Sequence, residues 1–559
     1  MLGVRRVRAV TVDGTDEDTL GVPARTSRSL PALPPLLRRL PPLFLRLRRA
    51  LTQAPGSAWR DPVTWTIAAL AFGAYFVISL FRLLRLTPGA YDFGIYTEYV
   101  KQLSQLHAPV VDVMGPGFNL EGDHFQVAVG VIAPFFRLFP TPATLLFFQA
   151  LLAAVSVFPV VTAAFVFTGR STGRLIGFAY AFSWGLQQMI DFDFHEIALA
   201  VPLIAFSVSA VARRRLGAAI AWAVPLVFVK EDQGFTVAAI GLVLGATMAF
   251  RPAIAALPWG NTKIAPWGGL FLVAWGLFWS TFAIIVIIPH FNPLHEYRYW
   301  GAAGGAVGGG KPFSVAALLT QAGGGWPAKG QTLVLLLLPT AFAALGSPVA
   351  LIALPSLVLR FISTNTAFWS TAFHYDATVM PILFIAAAEA IARWRRASAL
   401  AWPLEPGSGA APPGPGAPAG RTLEVFRAAR AGIARHGGPM MAAIAVALAF
   451  QFPLSNLWHG STYKLDAHVA AADAAMAVVP DGATAATTLD LLAPLAARTD
   501  TFWIGNRDNP ATQYIVFDGP DSGYYPPVTN VPKFIAQLYP HDRYVQVFDR
   551  GNVYVFRRG

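Results

Sequence analysis

Apolar residues in this chain fall in long, nearly unbroken runs, and its charged residues collect in the short stretches between them. Runs of that kind predict helices buried on every side or facing lipid, not half-exposed amphipathic helices or alternating strands. They lie near 62–82, 143–167, 173–190, 195–212, 217–229, 233–250, 268–289, 331–346, 347–362, 375–394 and 438–452. Several are shorter than the roughly 20 residues that an untilted crossing needs, so they require burial in the bundle or a thinned bilayer. The stretch 124–139 (HFQVAVGVIAPFFRLF) is shorter still and carries Pro134, which suits a helix lying along an interface.

The ends of the chain read differently. Residues 1–61 hold eleven arginines and a proline-rich run, of which 36–51 (LLRRLPPLFLRLRRAL) fits either a basic amphipathic segment on a membrane surface or a disordered arm. Residues 396–437 form a Pro/Gly/Ala-rich linker with a basic helical end. From 453 to 559 short alternating runs such as QYIVFDG and YVQVFDRGNVYVFRRG predict a small α/β domain. Its last two strands meet at a hairpin through Arg550-Gly551-Asn552.

Composition supports the membrane reading. The chain has 559 residues, 55% of them hydrophobic and only 13% charged, and soluble proteins carry about twice that charge fraction. With no cysteine, disulfides, thiolate catalysis and cysteine-bound zinc or iron–sulfur centres are excluded. The net charge is +12, but residues 453–559 hold eight Lys/Arg against ten Asp, leaving that tail near −2. The excess arginines flank apolar runs, which indicates positive-inside topology and not a nucleic-acid partner. With the N-terminus inside, Arg170, Arg174, the arginines at 213–215, Arg251, Arg393, Arg395 and Arg396 all fall inside, provided 124–139 does not cross. Eleven crossings then place 83–142, 290–330, 363–374 and the C-terminal domain outside.

Ionisable residues are costly at membrane depth, so their placement is informative. They gather at five outward junctions. The first holds Asp92, Glu98, Asp123 and His124, the second Asp191, Asp193, His195 and Glu196, and the third Lys230, Glu231 and Asp232. His290, His295 and Glu296 form the fourth, and Arg360 with His374 and Asp376 the fifth. A single polar pocket is the simplest arrangement that lets them pair. Bland readings stand beside this one: Asp193-Phe-His-Glu196 and Asp123-His-Phe-Gln126 fit capping boxes, and Asp232 fits an N-cap. On a helix starting near 91, Asp92, Ile95, Tyr96 and Tyr99 share a face, with Lys101 opposite. An aspartate on that aromatic face is a candidate catalytic group as well as a cap. Gly305 to Pro312 imitates a phosphate-binding loop, but Pro312 stands where a Ser or Thr would bind Mg²⁺, so the loop is read as flexible and followed by an interfacial helix at 312–323.

YDFGIYTEYV, the run 121–152, FDFHEIALAVPL, VKEDQGF and FHYDATVMPILF together resemble the bacterial and archaeal membrane-protein family of unknown function 2079. The likeness covers about 85–395 and returns at VPDGATAATTLDLLAPLAAR. That family is grouped with the GT-C superfamily of polytopic glycosyltransferases that use lipid-phosphate-linked sugars. The resemblance implies a GT-C-like helical membrane fold with interfacial helices at 92–107 and 124–139 and a loop at 290–330 closing over substrates. It gives Asp92, the acid after the first span, the part of catalytic base. Relatives often pair two acids in the first loop, whereas Phe93 follows Asp92 here, leaving Asp123 or Glu98 as the second carboxylate.

The expected activity is inverting transfer of a sugar from a polyprenyl-phosphate donor to an extracytoplasmic glycan, lipid or protein. A divalent metal is an open possibility. Asp123, His124, Asp193, His195, Glu196, Lys230, Glu231, Asp232, Arg360, His374 and Asp376 are the expected substrate- and phosphate-binding set. The rivals are a transporter or flippase, which wants broken mid-membrane helices and repeated halves, and a non-catalytic scaffold.

Overall fold

The computed structural model describes residues 57–87, 91–249, 265–299, 315–400, 418–506, 508–520 and 527–559. The basic N-terminal arm, with its amphipathic segment, and the glycine loop 305–312 lie outside these residues. The protein is mostly helical. Helix α1 (Pro62–Leu84) starts on Asp61, whose carboxylate accepts the Thr64 N–H (3.0 Å) and meets Arg174 (2.5 Å). Then come α2 (Tyr91–Ser104), the short α3 (Ala133–Leu138), α4 (Pro142–Thr168), α5 (Arg170–Ala181), α6 (Trp184–Asp191), α7 (Ile197–Ala212) and α8 (Leu216–Ala223). Next are α9 (Gln233–Ala249), α10 (Ala265–Phe282), α11 (Ile288–Phe291), α12 (Val315–Gly323), α13 (Trp326–Leu337), α14 (Leu354–Phe361), α15 (Val379–Leu400) and α16 (Pro418–Ala449).

Among the described residues four helical segments are long and apolar enough to cross a membrane: Pro62–Leu84, Pro142–Thr168, Trp267–Phe291 and His374–Ala397. Other expected spans are shorter or broken. The run 173–190 splits into α5 and α6 at Phe182 and Ser183. The run 331–346 starts earlier, as α13, and breaks at Pro339, after which Ala341 and Phe342 turn left-handed (φ 48° and 60°). The last helix starts at Pro418, inside the expected linker, because the Ala- and Arg-rich stretch before 438 continues it without a break. The segment 124–139 does not form a spanning helix; it is a 3-10 stretch at Val127–Ile132 followed by α3.

The core lies around α4 and α15, the most buried of the long helices. Helices α9 and α10 approach through facing glycines. A Cβ on Gly241 would meet the Gly269 carbonyl at 2.5 Å, and one on Gly269 would meet the Gly241 carbonyl at 2.6 Å. Gly234 and Gly276 face each other in the same way, which holds the first turn of α9, just after Lys230 to Asp232, against α10.

Residues 467–559 add α17 (Ala467–Ala477), β1 (Thr484–Thr487), α18 (Leu492–Ala496), β2 (Asp500–Trp503), β3 (Tyr514–Asp518), α19 (Val531–Leu538), β4 (Tyr544–Arg550) and β5 (Val553–Arg558). The sheet order is β2-β1-β3-β5-β4. β1 runs parallel to β2 and β3, while β5 is antiparallel to β3 and β4. The β4–β5 hairpin turns on Gly551 and Asn552, both at φ 61°, which matches the right-handed twist of its strands. Helix α18 packs on α2: a Cβ on Gly94 would stand 2.8 Å from Leu492 Cβ.

Candidate active site

Several chain segments bring polar residues to one cavity of about 400 Å³. Asp92 lies in the first turn of α2, and the helical period sets Asp92, Ile95 and Tyr96 on the cavity wall. Lys101 leaves the opposite face and donates to the Thr499 carbonyl (2.5 Å). Glu98 also turns away, accepting the Val113 N–H (3.0 Å), so Asp123 and not Glu98 shares the cavity with Asp92.

The α6–α7 junction supplies the second wall. Gln149 of α4 holds it, donating to the Met189 carbonyl (2.9 Å) and accepting the His195 N–H (3.1 Å). The His195 ring then stands between two acids, its Nε2 3.8 Å from Asp92 and its Nδ1 2.6 Å from Glu196. His374, from the turn before α15, stacks on His195 with ring centres 3.6 Å apart. Glu196 is fully buried, receives the Tyr96 hydroxyl and lies 2.8 Å from Lys230 Nζ.

The third wall is Lys230-Glu231-Asp232. Glu231 lies 2.7 Å from His124 Nδ1 and accepts the Phe125 N–H (3.2 Å) and the Tyr297 hydroxyl (3.1 Å). Asp232 accepts from the Gln233 side chain (3.1 Å). The fourth is Arg360, at the end of α14, paired with buried Asp376 (2.7 Å) and donating to the Phe368 carbonyl (2.8 Å).

Asp92, Asp123, His124, His195, Lys230, Glu231, Asp232, Arg360 and His374 therefore line the cavity, while Glu196 and Asp376 stand behind it as partners of its two cations. Asp193 is elsewhere: at φ 68°, it pairs with Arg82 (3.4 Å), which also holds Asp191 (3.1 Å). Neither expected capping box forms. Glu196 is itself the N-cap of α7 and makes no side-chain cap bond, and Asp123 faces Arg298 and Tyr299 (both 3.2 Å). His290, His295 and Glu296 do not reach the cavity; His295 sits against the Pro289 carbonyl (3.2 Å).

Burial pushes the Asp92 carboxyl above its ordinary range, and His195 only partly offsets this. Its side chain keeps 36% of its surface accessible because it opens on the cavity, although protein surrounds the recess. For His124 burial works against the imidazolium, but Glu231 beside it prevails and the net shift is upward.

Several cavity residues escaped the sequence reading. Tyr297 and Tyr299 come from the segment after α11, and Tyr299 stacks on His124 with centres 4.5 Å apart. The alternation Tyr297-Arg298-Tyr299 in an otherwise small-residue loop was the available signal. Gln126, 2.8 Å from the Tyr96 hydroxyl, and Tyr375, under the Arg360 guanidinium (5.5 Å), left no such sign. Among the described residues no three His, Asp or Glu side chains are grouped to hold a metal ion.

The sequence profile of the predicted membrane protein family DUF2079 matches residues 82–524. The chain belongs to that family. No curated protein matches this DUF2079 chain. Two solved structures align with it over 88% of its length and 97% of theirs, each at 14% identity. They are the crystal structures of ArnT from Cupriavidus metallidurans, one bound to undecaprenyl phosphate (TM-score 0.49) and one in the apo state (TM-score 0.46).

Proposed function

We propose that this DUF2079 protein is a membrane glycosyltransferase that moves a sugar from a polyprenyl-phosphate donor to a hydroxyl acceptor with inversion. The observation that carries the reading is that four carboxylates, Asp92 among them, three imidazoles and two cations face one cavity with an apolar flank. Ile284, from the π-helical turn Ala283–Ile287, and Leu359 of α14 line that flank. Their neighbours Ile285 and Val358 are exposed (62% and 53%), so a lipid tail can leave the cavity between these helices while its phosphate stays inside.

Asp92 takes the acceptor O–H proton, and the acceptor oxygen forms its bond to the anomeric carbon from the face opposite the phosphate. The bond from that carbon to the phosphate oxygen breaks, and the lipid phosphate leaves with the electron pair. Lys230 and Arg360 balance its charge. Lys230 gives Glu196 one of three N–H donors, and Arg360 spends three of five on Asp376, Phe368 and Ser370, so both retain donors for phosphate. Asp123, His124, Glu231, Asp232 and His374 are placed to bind sugar hydroxyls. In this reading the N-terminus is cytoplasmic, and the cavity and the sheet-bearing C-terminal part face outward to a glycan, lipid or protein acceptor.

The test is transfer from radiolabelled polyprenyl-phosphate sugars by membranes holding wild type or Asp92→Asn. The reading expects transfer by wild type and a loss of about 10²–10⁴-fold in the variant, the usual worth of a general base. Equal transfer by both would remove Asp92 from the chemistry.

A further inference from the structure

A second cavity, of about 440 Å³, opens where the end of α2, the helix α3 and the end of α18 meet. Lys101, Ser104, His107, Phe136, Arg137 and Ala497 line it, and no acid does. Lys101 is largely committed, donating to the Thr499 carbonyl and lying 3.6 Å from Asp500. Arg137 is not: its Nη1 donates to the Ser104 carbonyl (3.1 Å), and the guanidinium meets no carboxylate among the described residues. His107 adds a ring, its Nδ1 3.2 Å from Gln102 Oε1.

What surrounds this basic recess is apolar and uncovered. Leu106 is 87% exposed, and Val131, Phe135, Leu138 and Phe139 also present open surface. Large side chains left bare on one edge of a membrane protein face the acyl region, and a cationic recess beside them lies at headgroup depth. Lys101 and Asp500 offset each other, leaving the Arg137 charge to be matched. A phosphodiester carries one negative charge, and Arg binds its oxygens in a planar fork.

We propose that this recess is a binding site for the headgroup of an anionic phospholipid, with Arg137 on the phosphodiester and the acyl chains lying over Leu106, Leu138 and Phe139. The site is independent of the sugar-transfer reading. It would seat α3, and through Ser104 the end of α2, at a fixed depth in the bilayer.

The test is native mass spectrometry of the full chain in detergent with phosphatidylglycerol and phosphatidylcholine of the same acyl chains. Wild type should retain phosphatidylglycerol about tenfold more than phosphatidylcholine, roughly one charge-assisted hydrogen bond. Arg137→Glu should abolish the preference and Arg137→Lys keep part of it. Arg435→Glu, in the separate basic cluster beside Arg395, should leave the Arg137-dependent part intact. Should Arg137→Glu fail to fold, His107→Glu reports on the same recess from an exposed position. Equal retention of both lipids by wild type, or an undiminished preference in the folded recess variant, overturns the proposal. So does displacement of the lipid by millimolar glycerol phosphate, which would make the recess a site for phosphate alone.

Discussion

Nε2 of His195 stands 3.8 Å from Oδ2 of Asp92, across a gap where an acceptor hydroxyl can sit against both. Burial raises the Asp92 carboxyl, so the native state holds its proton above the ordinary value of 3.8. A carboxyl raised in the native state favours folding while protonated, and that advantage is lost as pH rises through its native pKa. At pH 7, above the ordinary value, the carboxyl therefore costs stability relative to a neutral side chain. Asp92→Asn should abolish transfer yet melt at or above the wild-type temperature at pH 7, and the difference should vanish below about pH 3, where both states are protonated. In the active enzyme the acid limb of the kcat/KM profile should fall above 3.8. Thermal melts of both forms across this range, with rates for wild type, check the prediction.

Glu196 sets the geometry around Asp92 without lining the cavity. It is buried against His195 Nδ1 and Lys230 Nζ. Glu196→Gln keeps the shape and the contact with Tyr96 but leaves the Lys230 ammonium without its nearest counter-charge. Breaking a buried pair on one side costs about 3–5 kcal/mol. The single variant should lose stability on that scale, and Glu196→Gln with Lys230→Met should recover part of it. Transfer should fall in both, since Lys230 is assigned to the leaving phosphate. Melting temperatures of the two single variants and the double variant separate stability from activity.

Glu98 offers a pH test away from the cavity. Burial pushes its carboxyl up to about 8 although Lys101 pulls the other way. The unfolded chain releases this proton near 4.5 and the native protein only near 8, so the native state binds more protons between the two. Stability should accordingly fall as pH rises through that window and level off above it. Glu98→Gln should flatten this part of the profile, as read by melting temperature between pH 4.5 and 8. A slope unchanged by the substitution would assign it to another group.

The Asp92 face of α2 was legible because a helical period and one charged residue suffice to define it. The convergence of junctions was legible because unpaired charges cannot rest at membrane depth. The partners were not. Asp193 fits a capping box in sequence, yet Arg82, more than a hundred residues away, claims it. Tyr297 and Tyr299 belong to no periodic run, and their roles depend on where the chain after α10 returns. The breaks at Ser183 and Ala341 were hidden for a related reason: apolar runs fix which residues are buried, while backbone direction follows from packing. The contact of Gly94 with Leu492, nearly four hundred residues apart, has no local signature at all.

That contact makes the C-terminal part a support for the helix that carries Asp92. Gly94 is two residues from Asp92, and a Cβ there would stand 2.8 Å from Leu492 Cβ. Tyr91, on the other side of Asp92, lies with its ring centre 5.0 Å from that of Trp503, and Lys101 reaches the Thr499 carbonyl. Three points along α2 thus rest on α18, β2 and the turn between them. Overpacking at such a seam costs about 1–3 kcal/mol. Gly94→Val should push α18 away, raise hydrogen exchange in 484–503, and lower kcat more than donor KM, because Asp92 moves while the lipid flank does not. Leu492→Gly in the Gly94→Val background should restore part of both, since it removes the Cβ, Cγ and Cδ1 atoms that the new side chain meets. Undisturbed exchange in 484–503 with unchanged kcat would mean that Asp92 is positioned without help from the sheet-bearing part.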